Sequence, residues 1–261
     1  MIGIRRQGHK DREFGAWAIL RPIVFAGLAL LGLCLAGCAS APGGQARDPG
    51  DPYEATNRKV FAFDQMLDRN FLLPTAKRYN VLVPEFGRDG IHNLLGNLDL
   101  PITFANDVLQ AEPYRAGETF LRFTINSTLG LGGLFDPATT NFNLPNHSED
   151  FGQTLGVWGM GGDPYLMLPA LGPSSSRDVA GRVGDVALDP LTWIRFKQHI
   201  WWMGGRMYIK VLDARARNID TLEGIERGSV DFYAATRSLY RQYRANEIRN
   251  GRPDTQELPD L

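Results

Sequence analysis

Residues 123–141 read FTINSTLGLGGLFDPATTN, and the first thirteen, Phe123 to Phe135, carry no charge and include three glycines. The run is too short to cross a bilayer, which takes ~20 residues, and too apolar for an ordinary surface loop. Just before it, Arg115, Glu118, Arg122 and Asn126 recur at three- and four-residue spacing. That spacing predicts a helix after Pro113 with one narrow polar stripe, on which Glu118 and Arg122 can pair at i, i+4. The rest of the helix is apolar: Phe120, Leu121, Phe123, Ile125 and Leu129. An apolar face this wide exceeds what a single core contact requires. The helix then runs into Gly130, Gly132 and Gly133, where the chain can bend or pass close to a neighbour.

Towards the amino terminus, Arg5, Arg6, Lys10, Arg12 and Arg21 precede a run of fourteen uncharged residues, Ile23 to Ala36. A basic region followed by an apolar run of that length is an export signal, not a membrane span. It ends in LAGC, Leu35 to Cys38, the pattern of a bacterial lipoprotein signal. The expected product is cleaved before Cys38, with a diacylglycerol thioether on its sulfur and an acyl chain on the new amine. Three chains at ~0.8 kcal/mol per buried methylene make a permanent anchor. Ala39, rather than aspartate, after the cysteine directs the product to the outer membrane by the usual sorting rule.

Cys34 leaves with the leader and Cys38 is acylated, and the chain has no other cysteine. Disulfides, thiolate catalysis and cysteine metal sites are therefore excluded. Without residues 1–37 the chain keeps 23 basic and 27 acidic side chains. That acidic balance makes nucleic acid a poor partner.

Residues 1–37 thus read as a signal peptide and 38–50 as an acylated, flexible tether rich in small residues. A single helical domain spans 51–249, and 250–261 form a disordered tail. Acid–proline pairs punctuate the domain at Asp51-Pro52, Glu112-Pro113, Asp136-Pro137, Asp163-Pro164 and Asp189-Pro190. Each pair predicts a helix start, the carboxylate taking free amides and the proline filling the first helical position. Glu54, three residues after Asp51, completes a capping-box spacing. Alternating strand patterns are scarce, so the expected fold is all-α, built of many short amphipathic helices.

LTWIRFKQHIWWMGG, residues 191–205, holds Trp193, Trp201 and Trp202 around Arg195 and Lys197. Tryptophan among cations suits the boundary between hydrocarbon and water, although an aromatic-rich helix also suits a core. Near the end, Arg237, Arg241 and Arg244 share one side of a helix opposite Phe232, Leu239 and Tyr243. That side suits lipid phosphates or an acidic partner, or simply a solvated helix face.

No catalytic constellation appears. Three histidines remain after the leader, His92, His147 and His199, and none has zinc-ligand spacing. NHSED, 146–150, reads as a polar loop rather than a cation site. LGLGG, 129–133, imitates a dinucleotide loop without the preceding strand. Ser175, three residues before Asp178, reads as a helix cap. No metal and no cofactor is implied.

Three long stretches carry a resemblance to a known family: DPYEATNRKVFAFD from Asp51, the run from Asn93 to Ala138 around LDLPITFANDVLQAEPYRAGETFLRF, and EDFGQTLGVWGMGGDPYLMLPALGPSSSRD from Glu149. In that order the chain resembles the MlaA (VacJ) family of outer-membrane lipoproteins over about residues 50–200. The resemblance implies a helical, ring-like protein lying in the periplasmic leaflet of the outer membrane around a central channel. It implies association with a trimeric porin, extraction of phospholipid mislocated in the outer leaflet, and delivery to a soluble periplasmic carrier. No bond is broken in that task, so no catalytic residue is required. Arg115, Glu118, Arg122 and Asn126 would then line the channel, with Gly130, Gly132 and Gly133 as hinge or close-packing positions. Trp193, Trp201 and Trp202 would sit at the membrane interface. The alternatives are an envelope scaffold that braces a porin without transporting, and a lipid hydrolase.

Overall fold

Side-chain caps start several of the helices, those at Asp136, Ser175 and Asp189 as expected and those at Asp150 and Asp231 not. Asp136 takes the Thr139 amide, Asp150 that of Gln153, Ser175 that of Asp178, Asp189 that of Leu191 and Asp231 that of Ala234. The computed structural model describes residues 51–194 and 198–252. The signal peptide, Cys38, the tether, Arg195, Lys197 and tail residues 253–261 lie outside them.

The chain runs through α1 (Glu54–Leu67) and a π-helical turn (Asp68–Leu72) into α2 (Leu73–Leu82). The long α3 (Glu85–Leu109) and α4 (Pro113–Thr128) form a helical hairpin, closed by Ala111 at φ 58°. Then come α5 (Pro137–Thr140), α6 (Phe151–Val157), β1 (Tyr165–Leu168), β2 (Gly172–Ser175) and α7 (Ser176–Leu188). The fold ends with α8 (Pro190–Trp193), α9 (His199–Arg217), α10 (Ile219–Gly228) and α11 (Phe232–Ile248).

Packing among these elements follows a closed circuit. α1 continues through the π turn onto α2, α2 lies on α9, and α9 lies on α3. α3 meets α6 and α7, α11 meets α6 and β2, and β1, paired with β2, returns to α1.

The domain is mostly helical, but all-α needs correction. β1 and β2 pair antiparallel with Tyr165 opposite Ser175 and Leu168 opposite Gly172. The connecting turn places Ala170 at φ 60° and Gly172 at φ 74°, and Asp64 of α1 accepts the Ala170 N–H at 2.7 Å. Four-residue strands are too short to leave a readable alternation.

Three acid–proline pairs also differ from expectation. Asp163-Pro164 precedes β1 rather than a helix. Asp51 does not cap α1: its carboxylate is buried and accepts from Asn57 at 2.8 Å, from Arg237 at 2.9 Å and from the Tyr233 hydroxyl. The capping box with Glu54 is therefore absent, because Glu54 pairs with Arg58 and Asp51 serves the tertiary fold. At Glu112-Pro113 proline does fill the first turn of α4, but the Glu112 side chain takes no amide there.

The interior is inverted relative to a water-soluble domain. Among the described residues nine apolar side chains are buried against twenty polar or charged ones. The apolar clusters are small: Ala76, Leu212 and Ala216 in one, Tyr165, Met167 and Tyr233 in the other. Large apolar side chains face outward from nearly every helix, among them Phe71, Val81, Phe86, Phe120, Leu129, Val183, Ile200 and Trp201.

Candidate functional site

The helix α4 shows the inversion most sharply. Ala116, Thr119, Arg122 and Asn126 are buried, whereas Phe120, Leu121, Phe123 and Leu129 are exposed. Its polar stripe is the packed face. Arg122 donates to Thr139 Oγ1 and Leu144 O at 2.7 Å each and to Asp136 Oδ2 at 2.8 Å, with its side chain 4% exposed. Asn126 donates to Asp136 Oδ1 at 2.8 Å and accepts the Ala138 N–H at 3.0 Å. Burial pushes the Asp136 carboxyl up, but its bonds from Thr139, Asn126 and Arg122 outweigh that and hold it below the ordinary carboxylate range.

The expected Glu118–Arg122 pair does not form, because Arg122 turns to Asp136 across the glycine-rich turn. Glu118 is partly exposed and has no ion-pair partner among the described residues. Arg115 is likewise partly buried and pairs with Glu149 and, at 3.7 Å, with Asp107.

The glycines make that turn possible. Gly130 is buried, and a Cβ there would stand 2.5 Å from the Asn126 and Phe135 carbonyls. Gly133 sits at φ 101° directly against Asn97, whose Cβ would lie 2.4 Å from an added methyl. Asn97 in turn donates to Ser127 and to the Gly132 carbonyl.

A second polar cluster joins α3, α4 and the 146–150 loop. Asp107 accepts from Thr119 at 2.6 Å and lies 3.1 Å from His147 Nε2. Gln110 bridges Glu149 and Thr154, and Thr154 donates to Asn106 at 2.7 Å. NHSED is indeed a loop, yet Glu149 is buried, and Asp150 caps α6 and receives Arg244. Among the described residues no group of histidine, cysteine and carboxylate side chains could hold a metal ion. Sequence reasoning missed Asn97, Asn106, Asp107 and Gln110. Asn106, Asp107 and Gln110 fall within one turn at the end of α3 and share a side, which is the signal that betrays them, whereas Asn97 lies two and a half turns earlier and gives none.

The basic side of α11 is neither a solvated face nor a free cationic patch. Arg244 reaches Asp150 and Asp178 at 2.7–2.9 Å, Arg237 reaches buried Asp51, and half-exposed Arg241 reaches Asp163. The tryptophans, by contrast, face out. Trp201 is 83% exposed and Trp193 70%, while Trp202 is less so and lies under the Arg206 guanidinium.

Three clefts adjoin through shared wall residues. One of about 280 Å³ lies between α1, the π turn, β2 and α10, with Asp68, Arg69, Arg215 and Glu226 on its walls. One of about 110 Å³ shares Pro173 with it and is walled by Asp178, Arg182, Asp185 and Arg244. The third, about 180 Å³, shares Asp185 and lies between α3, α7 and α9, with Asp99, Arg206 and Lys210. A separate polar cavity of about 380 Å³ is bordered by Arg115, His147, Glu149 and Glu247. Acid and base alternate along all of these walls.

Asp185 stands at the junction of two clefts and accepts the Phe151 N–H at 2.8 Å. Burial, aided by the neighbouring Asp150 charge and opposed by that amide, pushes its carboxyl from 3.8 up to about 6. Between pH 3.8 and about 6 the folded state therefore holds a proton that the unfolded chain has released. The resulting stability is complete below pH 3.8 and is lost as pH rises through about 6. Asp185→Asn should match the wild type in Tm near pH 4 and exceed it at pH 7, measured in detergent. A pH-independent difference between the two would contradict this account.

A profile of the MlaA lipoprotein family matches residues 49–247. The chain belongs to that family. The intermembrane phospholipid transport system lipoprotein MlaA of Escherichia coli K12 is 34% identical over 227 residues, which cover 86% of this chain and 88% of the relative. The protein of the same name in Haemophilus influenzae is 31% identical, covering 88% and 93%. A Rickettsia bellii protein with no assigned role is 34% identical over 77% of this chain. Among solved structures, a chain from work on the structural basis for maintenance of bacterial outer membrane lipid asymmetry superposes with a TM-score of 0.69. It is 35% identical and is covered completely by 77% of this chain. The names of the MlaA relatives describe a transport lipoprotein, not an enzyme.

Proposed function

We propose that this chain is an outer-membrane lipoprotein that removes mislocated phospholipid from the outer leaflet and passes it to a soluble periplasmic carrier. It thereby keeps the two leaflets different in composition. The observation that carries this reading is the inverted interior, in a chain whose relatives are named for phospholipid transport. Apolar surface costs ~25 cal/mol per Å² in water, so an exterior of phenylalanine, leucine and valine on this scale calls for hydrocarbon. No described helix is long and apolar enough to cross a membrane. A position within one leaflet, held by the acylated Cys38, satisfies both facts, with Trp193, Trp201 and Trp202 at its polar boundary.

In this reading the helices ring a passage that follows the adjoining clefts. A headgroup moves between paired acids and bases that never leave it in an unbalanced field, while its acyl chains stay with the leaflet. Arg115 borders the wet cavity beside α4, Glu118 follows it three residues along the same helix, and Arg122 and Asn126 brace the apolar segment behind them. The apolar flank also offers a trimeric porin a surface to lie against. No catalytic group or cofactor has a part.

The competing reading is a scaffold that only braces the porin. It shares the apolar exterior but leaves the charged clefts without a use. Deleting the protein decides between them. Surface-accessible phospholipid on intact cells, read by labelling, should rise several-fold and return to normal on re-expression. An unchanged outer leaflet would leave only the scaffold.

A further inference from the structure

A cavity of about 250 Å³ lies between the 160–163 loop, the start of α7 and the C-terminal half of α11, and it shares Tyr240 and Arg244 with the 110 Å³ cleft. Three guanidinium groups border it, from Arg177, Arg241 and Arg244, with Asp163 as its one bordering carboxylate. Arg244 is spent on Asp150 and Asp178, and Arg241 on Asp163. Arg177 is different. Its side chain is only 8% exposed, and its Nε donates to Asp178 at 3.1 Å. Its Nη1 reaches nothing nearer than the Met160 carbonyl at 3.5 Å, and its Nη2 has no acceptor among the described residues.

The outer edge of this guanidinium therefore faces the cavity with donors that no carboxylate among the described residues takes up. Two glycines clear the space around that edge. A Cβ on Gly162 would stand 3.3 Å from Nη1 and 3.5 Å from Nη2, and one on Gly156 would stand 3.3 Å from Nη1. Ser175 lies on the same wall, and Ala245 and Ile248 give it an apolar side.

From this geometry we infer a binding site for a phosphate ester, seated on the Nη edge of Arg177. The planar fork presents parallel N–H groups to two oxygens of one phosphate, a match that an ammonium group lacks. The apolar side accommodates the organic part of the ester. The inference rests on the transport reading only for the source of the phosphate, a lipid headgroup rather than a soluble ester. The site itself stands without it.

The test uses the acylated protein in non-ionic detergent and three variants: Arg177→Lys, Arg177→Gln and Gly162→Ala. The last keeps every charge and the backbone but crowds the fork. Glycerol 3-phosphate and inorganic phosphate are titrated by calorimetry against chloride of equal ionic strength. Wild type should bind both, and Gly162→Ala and Arg177→Lys should bind at least about tenfold more weakly with little change in ligand-free Tm. Arg177→Gln should abolish binding of both phosphates; equal binding by wild type and Gly162→Ala, binding retained in Arg177→Gln, or no binding of either phosphate by wild type overturns the site.

Short-chain phosphatidylglycerol below its micellar concentration supplies the source. Tighter binding than glycerol 3-phosphate assigns the site to lipid, and equal binding refutes the lipid assignment. Cells lacking the protein that still accumulate surface phospholipid, alongside phosphate-blind wild-type protein, would refute this site and leave the transport reading intact.

Discussion

Replacing Arg122 by leucine should deplete the protein instead of merely slowing lipid handling. The guanidinium is buried and bonds to a carboxylate, a hydroxyl and a carbonyl from three different parts of the chain. Removing one member of a buried ion pair costs ~3–5 kcal/mol, because the other charge stays behind without a counterion. Whole domains are stable by only ~5–15 kcal/mol, so steady-state abundance should fall several-fold by blot. Asp136, left with Thr139 and Asn126, is the stranded charge. Glu118→Gln is the matched control: on the same helix, partly exposed and unpaired, it should leave abundance unchanged. Arg122→Leu at normal abundance with raised surface phospholipid would put Arg122 on the passage wall after all.

Gly133→Ala should be nearly as damaging, although it adds one methyl. The residue sits at φ 101°, where an L side chain is strained, and the new Cβ would meet the Asn97 Cβ at 2.4 Å. That contact involves the root of a side chain, which no rotamer change relieves. Backbone strain of ~1–3 kcal/mol adds to overpacking of ~1–3 kcal/mol. Gly132→Ala separates the two costs. It shares the left-handed backbone, at φ 75°, but has open space around it, so only the strain remains. Thermal unfolding in detergent should place Gly132→Ala between wild type and Gly133→Ala. Equal Tm for the two variants would show that the Asn97 contact carries no weight.

Helix starts were legible wherever a short polar side chain had only local work to do. Asp136, Asp189 and Ser175 cap the helices their spacing announces. Asp51 has the same local pattern, but Asn57, Tyr233 and Arg237 together offer its carboxylate more than the first turn of α1 does. Two of these partners lie more than 180 residues away in sequence, so no local rule finds them. The hairpin of β1 and β2 escaped for a similar reason, since its turn is held by Asp64 from another element. At α4 the four stripe residues were found, yet Arg122 was matched to the wrong acid. Glu118 is its neighbour along the helix, whereas Asp136 becomes one only after the Gly130–Gly133 turn folds back.

By itself, then, the sequence determined the helical content, the caps at Asp136, Ser175 and Asp189, and the two-faced character of α4 and α11. It also determined family membership, because long ordered stretches are specific in a way that short motifs are not. The tertiary structure decided which face turns inward. A period of 3.6 residues separates a polar side from an apolar one but assigns neither to the interior. That assignment depends on what each face meets. In α4 the polar side goes in because the glycine turn brings Asp136 and the Leu144 carbonyl within 2.8 Å of Arg122. Phe120, Leu121 and Phe123 are left outside, where only an apolar medium makes their exposure inexpensive.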